Sequence, residues 1–317
     1  MQMRKLGRTG FDVAPIAFGG NVFGWTADEA TSFDLLDAFV GAGFNLIDTA
    51  DSYSRWAPGH QGGESETIIG RWIARRGRHD DVIIATKVGS DMGFGHKVLK
   101  RDYILRAVEA SLRRLDVERI DLYQSHWDDE NTPLEETLDA YRQLIAAGKV
   151  RAIGASNYSP QRLAQALDTS RRTGLPRYET LQPLYNLYDR DAFEGELQAL
   201  CLREEIGVIT YFSLAAGFLT GKYRSSEDFA KSARGAGMNK YLNPRGLGIV
   251  DALVAAARAH GATPAQIALA WLLTRPGVTA PIVSATSVAQ LEEILAAPRI
   301  VLDADAKRAL DAASAAG

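Results

Sequence analysis

A phenol can protonate a reacting carbonyl oxygen only if something makes its phenolate less costly, and a buried ammonium held by a carboxylate does so. The chain carries such a set at the ends of apolar stretches: Leu46-Ile47-Asp48 with Tyr53 five residues on, Ala85-Thr86-Lys87, and Gln124-Ser125-His126. In that set Tyr53 is the proton donor. Lys87, kept charged by Asp48, favours its phenolate, and His126 hydrogen-bonds the carbonyl oxygen and helps orient the substrate. Such a set suits reduction of a carbonyl by hydride, which needs a proton delivered to the oxygen. Taken singly, Asp48 and Lys87 read as an ordinary buried ion pair, Tyr53 as packing and His126 as a satisfied core histidine. Their position on three successive strand ends is what makes them a site.

Those residues meet only if the strands bearing them run parallel and present their C-terminal ends to one face. Short β-branched runs at 14–18, 44–48, 82–87, 120–126, 151–155, 180–184, 208–211 and 279–283 alternate with helical stretches such as 64–75, 103–115, 134–147, 160–172 and 192–204. Most of these helices are entered through Ser, Thr, Asp or Asn. Eight strands, each followed by a helix, predict an α/β fold, a (β/α)₈ TIM barrel in a single domain over 1–317, with extra C-terminal helices. A doubly wound sheet would show Gly-x-Gly-x-x-Gly after its first strand, but the turn reads Phe18-Gly19-Gly20-Asn21-Val22-Phe23-Gly24. Residues 3–5 and 11–13, around Gly7-Arg8-Thr9-Gly10, read as an N-terminal β-hairpin closing the lower mouth. The polar, weakly periodic stretch 223–248 reads as a mobile loop over the site.

Composition narrows the partners. A net charge of -3 with no long basic run speaks against nucleic acid, and the single cysteine, Cys201, cannot form an intramolecular disulfide. No Cys/His spacing suggests a metal site. No apolar run approaches the roughly 18 residues of a membrane span, and Met1 to Gly10 has no leader-like apolar core, so the chain reads as cytoplasmic. Oligomeric state is left open.

The stretches Asn45-Leu46-Ile47-Asp48-Thr49-Ala50-Asp51-Ser52-Tyr53, Ile84-Ala85-Thr86-Lys87, Ile120-Asp121-Leu122-Tyr123-Gln124-Ser125-His126-Trp127 and Gly154-Ala155-Ser156-Asn157 carry a resemblance. So do Leu181-Gln182-Pro183-Leu184-Tyr185-Asn186 and Gly217-Phe218-Leu219-Thr220-Gly221-Lys222-Tyr223. In this order they resemble the signature segments of the aldo-keto reductase superfamily. The resemblance implies a nicotinamide cofactor across the C-terminal mouth, NADP(H) by family habit with NAD(H) a competitor, and the tetrad Asp48, Tyr53, Lys87 and His126. It also implies that Ser156, Asn157 and Gln182 meet the carboxamide and that Tyr211 stacks on the nicotinamide. Gly20, Asn21, Val22, Phe212, Ser213, Leu214, Gly217, Leu219, Gly221, Lys222 and Arg224 complete the implied cofactor set from the loops after the first and seventh strands. Ser284, Ala285, Thr286, Ser287, Gln290, Glu293 and Ile294 add to it around the last helix N-terminus, where Ser287 also suits an N-cap with Gln290 completing a capping box.

Ser287 and Ile294 stand where many members carry Arg and Asn, which weakens the case for NADP(H). Val22, Phe23, Trp25, Tyr53, Trp56, His126 and Trp127 form the expected substrate wall and favour a hydrophobic or ring-bearing carbonyl or alcohol. Three rivals stand beside the reductase: a class I aldolase with a Lys87 Schiff base, a barrel hydrolase lacking its paired carboxylates here, and a nucleotide-binding partner resembling potassium-channel β-subunits.

Overall fold

The computed structural model describes residues 1–233 and 235–315. Strands β1 (Arg4–Lys5) and β2 (Asp12–Val13) pair antiparallel as the N-terminal hairpin. Eight parallel strands then close a barrel: β3 (Ala17–Gly19), β4 (Leu46–Asp48), β5 (Ile83–Val88), β6 (Ile120–Ser125), β7 (Val150–Ser156), β8 (Thr180–Gln182), β9 (Gly207–Thr210) and β10 (Val278–Val283). Each pairs with the next, and β10 closes on β3. Every expected strand is present.

Side chains alternate along a strand, so each barrel strand contributes one column to the interior and one to the helical layer. The inward columns, Ala17, Leu46, Ile83, Ala85, Leu122, Ala152, Ile209, Ala280 and Ile282, form one apolar cluster with Leu6, Phe11 and Val13 of the hairpin region. The hairpin lies at the strands' N-terminal ends, where the Arg4 guanidinium donates to the carbonyls of Val278 and Thr279. The alternate residues, among them Phe18, Ile47, Ile84, Tyr123, Ile153, Leu181, Val208 and Val283, join the larger core between barrel and helices. Continuing each inward column to its C-terminal end gives Gly19, Asp48, Lys87, Gln124, Ser156, Gln182, Tyr211 and Ser284. The interior is therefore apolar below and polar at the top. Gly154 keeps that top layer assembled, because a Cβ there would lie 2.1 Å from Thr180 Oγ1 and 3.1 Å from Gln124 Cγ.

The helical layer comprises α1 (Glu29–Gly41), α2 (Glu64–Arg76), α3 (Arg101–Leu115), α4 (Leu134–Ala146), α5 (Pro160–Thr173), α6 (Glu196–Arg203), α7 (Pro244–His260), α8 (Pro264–Leu273), α9 (Val288–Leu295) and α10 (Ala304–Ser314). Side-chain caps from Asp28, Ser159, Asn243, Thr263, Ser287 and Asp303 satisfy first-turn N–H groups of α1, α5, α7, α8, α9 and α10.

Two expectations are corrected. The helix read over 192–204 starts at Glu196, because Arg190–Ala192 closes a separate 3-10 turn and Gly195 (φ 93°) breaks the path. The stretch 223–248, whose residue 234 lies outside the described residues, is not a bare loop. Ser226–Lys231 and Gly235–Lys240 form 3-10 turns, Tyr223, Met238 and Tyr241 are buried, and α7 begins at Pro244 behind its Asn243 cap. Tyr241 stacks on Phe218 at 5.3 Å, anchoring the stretch by apolar contact that its polar composition concealed. Among the described residues, no helix is long and apolar enough to cross a membrane.

Candidate active site

The top layer gathers Asp48, Tyr53, Lys87 and His126. Lys87 and Asp48 are fully buried, and the ammonium donates 2.7 Å to Asp48 Oδ2, 2.8 Å to the Thr49 carbonyl and 2.7 Å to the Tyr53 oxygen. Three acceptors match its three protons. Burial lowers the Lys87 pKa from the usual lysine range, and the Asp48 carboxylate opposes that shift. An amine so enclosed is poorly placed to attack a carbonyl, which counts against the aldolase rival. Tyr53 O–H lies 3.2 Å from Asp48 Oδ2, so the phenol can donate to the carboxylate while accepting from the ammonium. Asp48 Oδ1 accepts from Gln182 Nε2 at 2.8 Å and Gln124 Nε2 at 3.4 Å, which fixes the carboxylate from its far side.

His126 follows β6, with its ring 6.0 Å from that of Tyr53. Burial first, and the Lys87 charge second, hold its pKa well below the usual histidine range, so the ring is neutral near pH 7. Its Nδ1 lies 2.9 Å from Ser90 Oγ and 3.5 Å from Ser52 Oγ.

Aromatic rings continue outward from the tetrad. Trp56 packs edge-on to Tyr53 at 6.0 Å and to Trp25 at 5.7 Å, while Trp127 stacks on His126 at 6.2 Å with Lys97 Nζ 4.2 Å from its centroid. Trp56 is 50% exposed. Val22 and Phe23 stand behind this wall instead of on it: both are buried, and Phe23 stacks on Phe18 at 5.3 Å in the core.

The expected cofactor groups divide similarly. Ser156, Asn157, Gln182 and Tyr211 lie together, with Tyr211 O–H donating 2.7 Å to Asn157 Oδ1, Asn157 Nδ2 donating 2.9 Å to the His126 carbonyl, and Ser156 Oγ donating 2.8 Å to the Gln182 carbonyl. Asn157 adopts φ 58°, a left-handed conformation that asparagine tolerates. Ser284 donates to Asn21 Oδ1 at 2.6 Å and to the Gly19 carbonyl, tying the first and last strand ends beside Gly20. Leu219, Ala285 and Ile294 are buried in the larger core, and Ser213 is buried with its hydroxyl 3.2 Å from Thr210 Oγ1. Leu214 packs against that core, Gly217 (φ 103°) and Gly221 (φ 80°) turn the loop, and Lys222 is exposed. Arg224 pairs with Asp251 at 2.5 Å, and Glu293 accepts from Thr263 at 2.7 Å. Ser287 caps α9 as expected. Gln290 does not return to the cap: its carbonyl accepts from the N–H and hydroxyl of Thr286, so no capping box closes there.

Phe212 is 45% exposed and leans on Tyr211 at 5.3 Å, yet its φ is 51°, a conformation costly for a bulky L residue. Its carbonyl is pinned by Asn186 Nδ2 at 3.0 Å and by the Ala215 N–H. Both Phe212→Gly and Phe212→Ala lose the ring, but only glycine escapes the strain. The glycine variant should be the more stable by roughly 1 kcal/mol in urea unfolding, the reverse of the order at an unstrained site.

Strand-end pattern alone did not single out Ser52, Ser90, Gln124 or Asp51. Parity would have found Gln124, two residues before His126 on the inward column of β6; Ser52 and Ser90 sit in loops that no period governs. Asp51 is 4% exposed, its Oδ1 has no hydrogen-bond partner, and burial, then the Glu66 charge, push its pKa up to about 8. Glu66 is itself buried, accepting from Thr86 at 2.6 Å and from Arg114.

An acid held protonated only in the folded state binds protons more tightly there than in the unfolded chain, whose value is about 3.9. Its contribution therefore falls as pH rises between those two values. Asp51→Asn should flatten the stability profile between pH 5 and 8 by up to roughly 1.4 kcal/mol per pH unit, measured as the difference in urea-unfolding slopes from the parent.

Comparison with known proteins agrees with this architecture. The family profile described as Aldo/keto reductase family matches residues 15–315. The chain is 35% identical over 307 residues to Aldo-keto reductase YhdN of Bacillus subtilis (strain 168), covering 93% of this chain and 88% of that one. It is 31% identical over 307 residues to L-glyceraldehyde 3-phosphate reductase of Escherichia coli (strain K12), covering 92% and 86%. A probable voltage-gated potassium channel subunit beta of Arabidopsis thaliana is 33% identical over 309 residues, covering 95% and 92%. A match across nearly the whole closed barrel establishes that this chain belongs to the aldo/keto reductase family.

Proposed function

We propose that this chain, an oxidoreductase of carbonyl compounds by family, reduces an aldehyde or ketone to the alcohol with NADP(H), and that Tyr53 supplies the proton. The observation that carries this is the 2.7 Å contact between the Tyr53 oxygen and a Lys87 ammonium already paired with Asp48. A bound dihydronicotinamide supplies the hydride. Tyr53 gives its proton to the carbonyl oxygen, Lys87 holds the resulting phenolate, Asp48 keeps Lys87 in place, and neutral His126 orients the substrate oxygen.

Tyr211 offers a flat apolar face, and Gln182, Ser156 and Asn157 offer amide and hydroxyl partners to a carboxamide. Such types in one layer fit a nicotinamide. Asn157 would have to exchange its internal bonds to take part. The α9 N-terminus and residues 214–222 suit phosphates. The choice of NADP(H) rests on family habit, with Lys222 and Arg224 as phosphate partners; NAD(H) is the competitor, because Ser287 brings no charge and already caps α9. The Trp25, Trp56 and Trp127 rings favour a ring-bearing carbonyl.

The test is transfer from cofactor deuterated at the donor carbon to a panel of aromatic aldehydes. Deuterium should appear at the carbinol carbon, and unlabelled product would refute hydride reduction. Similarity to the Arabidopsis channel subunit favours a second reading, a nucleotide-binding partner protein, which steady turnover by the free chain would remove.

A further inference from the structure

We propose that Ser90, assisted by Ser52, sets the tautomer of His126, holding the ring's one proton on Nε2 so that it can donate to the substrate oxygen. The proposal rests on the reductase reading and assigns to Ser90 a positioning role that neither family membership nor the tetrad supplies.

Hydrogen-bond accounting carries it. A neutral imidazole has one donor and one acceptor nitrogen, and the neighbours of one fix the role of the other. Nδ1 meets the Ser90 hydroxyl at 2.9 Å and the Ser52 hydroxyl at the 3.5 Å limit, both on residues more than nine-tenths buried. Among the described residues neither hydroxyl has another side-chain or backbone partner, and Nε2 has none. If Nδ1 carried the proton, it would donate to Ser90, the buried hydroxyl protons of Ser90 and Ser52 would lack protein acceptors among the described residues, and Nε2 would have a lone pair and no proton to offer a carbonyl oxygen. If Nδ1 accepts, the Ser90 proton is satisfied and Nε2–H, on a half-buried ring with no other partner among the described residues, is left to donate to a carbonyl oxygen.

The second arrangement leaves fewer buried groups unmatched, and it alone gives a ring that can bind a carbonyl. The ring's height is fixed separately: the His126 N–H donates to the Val88 carbonyl at 2.8 Å, and its own carbonyl accepts from Asn157. Ser90 thus governs the proton's place on the ring and leaves the ring's position to the backbone.

The experiment is nitrogen-15 NMR of the ring nitrogens, assigned by loss of the signal in His126→Gln, in the free protein and with NADPH. In the parent, Nδ1 should show the shift of an unprotonated nitrogen accepting a hydrogen bond, and Nε2 that of a protonated one. Ser90→Ala should give a mixture of tautomers and lower kcat by about tenfold with little change in KM, while Ser90→Thr should restore both the single tautomer and the rate. A parent ring protonated on Nδ1, a Ser90→Ala variant that keeps a pure Nε2–H tautomer, or a tautomer mixture with unchanged kcat would each overturn the proposal. These outcomes are separable from the reductase reading, which falls only if the parent fails to turn over.

Discussion

Tyr53→Phe should lower turnover by about 10²- to 10⁴-fold while leaving nucleotide binding close to that of the parent. The change deletes one oxygen, the group whose proton the proposed reduction would consume. It also accepts from Lys87 at 2.7 Å, so the ammonium loses one of its three acceptors within a buried site. A modest stability loss of about 1–2 kcal/mol should accompany the rate loss. The two effects separate by method: urea unfolding reads the first, and single-turnover reduction with saturating cofactor reads the second. A variant that retains more than a tenth of the parent rate would require a different proton donor.

The second large effect is expected at Lys87. Its ammonium and the Asp48 carboxylate are both fully shielded from solvent and 2.7 Å apart. Replacing Lys87 with Met strands a buried carboxylate, with an expected cost of roughly 3–5 kcal/mol, and removes the charge that would hold a Tyr53 phenolate in the proposed reaction. Pairing that change with Asp48→Asn removes the stranded charge. The double variant should recover most of the lost stability in urea unfolding, because Gln182 and Gln124 can still hydrogen-bond an amide, while reduction stays lost. This non-additivity distinguishes a catalytic ion pair from a merely structural one: stability returns and turnover does not. Recovery of both would mean that the pair serves folding alone.

The barrel was legible because its strands obey a period of two on both faces. Leu46, Ile83, Ala85 and Leu122 face the interior, while Ile47, Ile84 and Tyr123 face the helices, so apolar runs marked all eight strands even where β3, β4 and β8 pair over only three residues. The same parity delivers Asp48, Lys87, Ser156, Gln182 and Tyr211 to the top layer. Loops obey no such period. Phe23 sounds like a substrate contact by type, yet apolar burial draws it onto Phe18, and Ile294 points from α9 into the core for the same reason. Ser90 and Ser52 look like ordinary loop hydroxyls until the fold brings them to one nitrogen of His126. The stretch 223–248 misled through composition, since three buried anchors, Tyr223, Met238 and Tyr241, hold a segment that is otherwise polar. The start of α7 was nonetheless written in Asn243-Pro244, a cap followed by a first-turn proline.

The reaction proposed for this chain is nicotinamide-dependent carbonyl reduction at Tyr53. It is tested most directly by titrating the purified chain with NADPH and NADH in parallel, followed by the loss of reduced-nicotinamide absorbance with aromatic aldehydes and ketones. Saturable binding of at least one nucleotide is expected, with steady consumption that Tyr53→Phe removes. Absence of binding to both, or binding with no consumption across the panel, would contradict it.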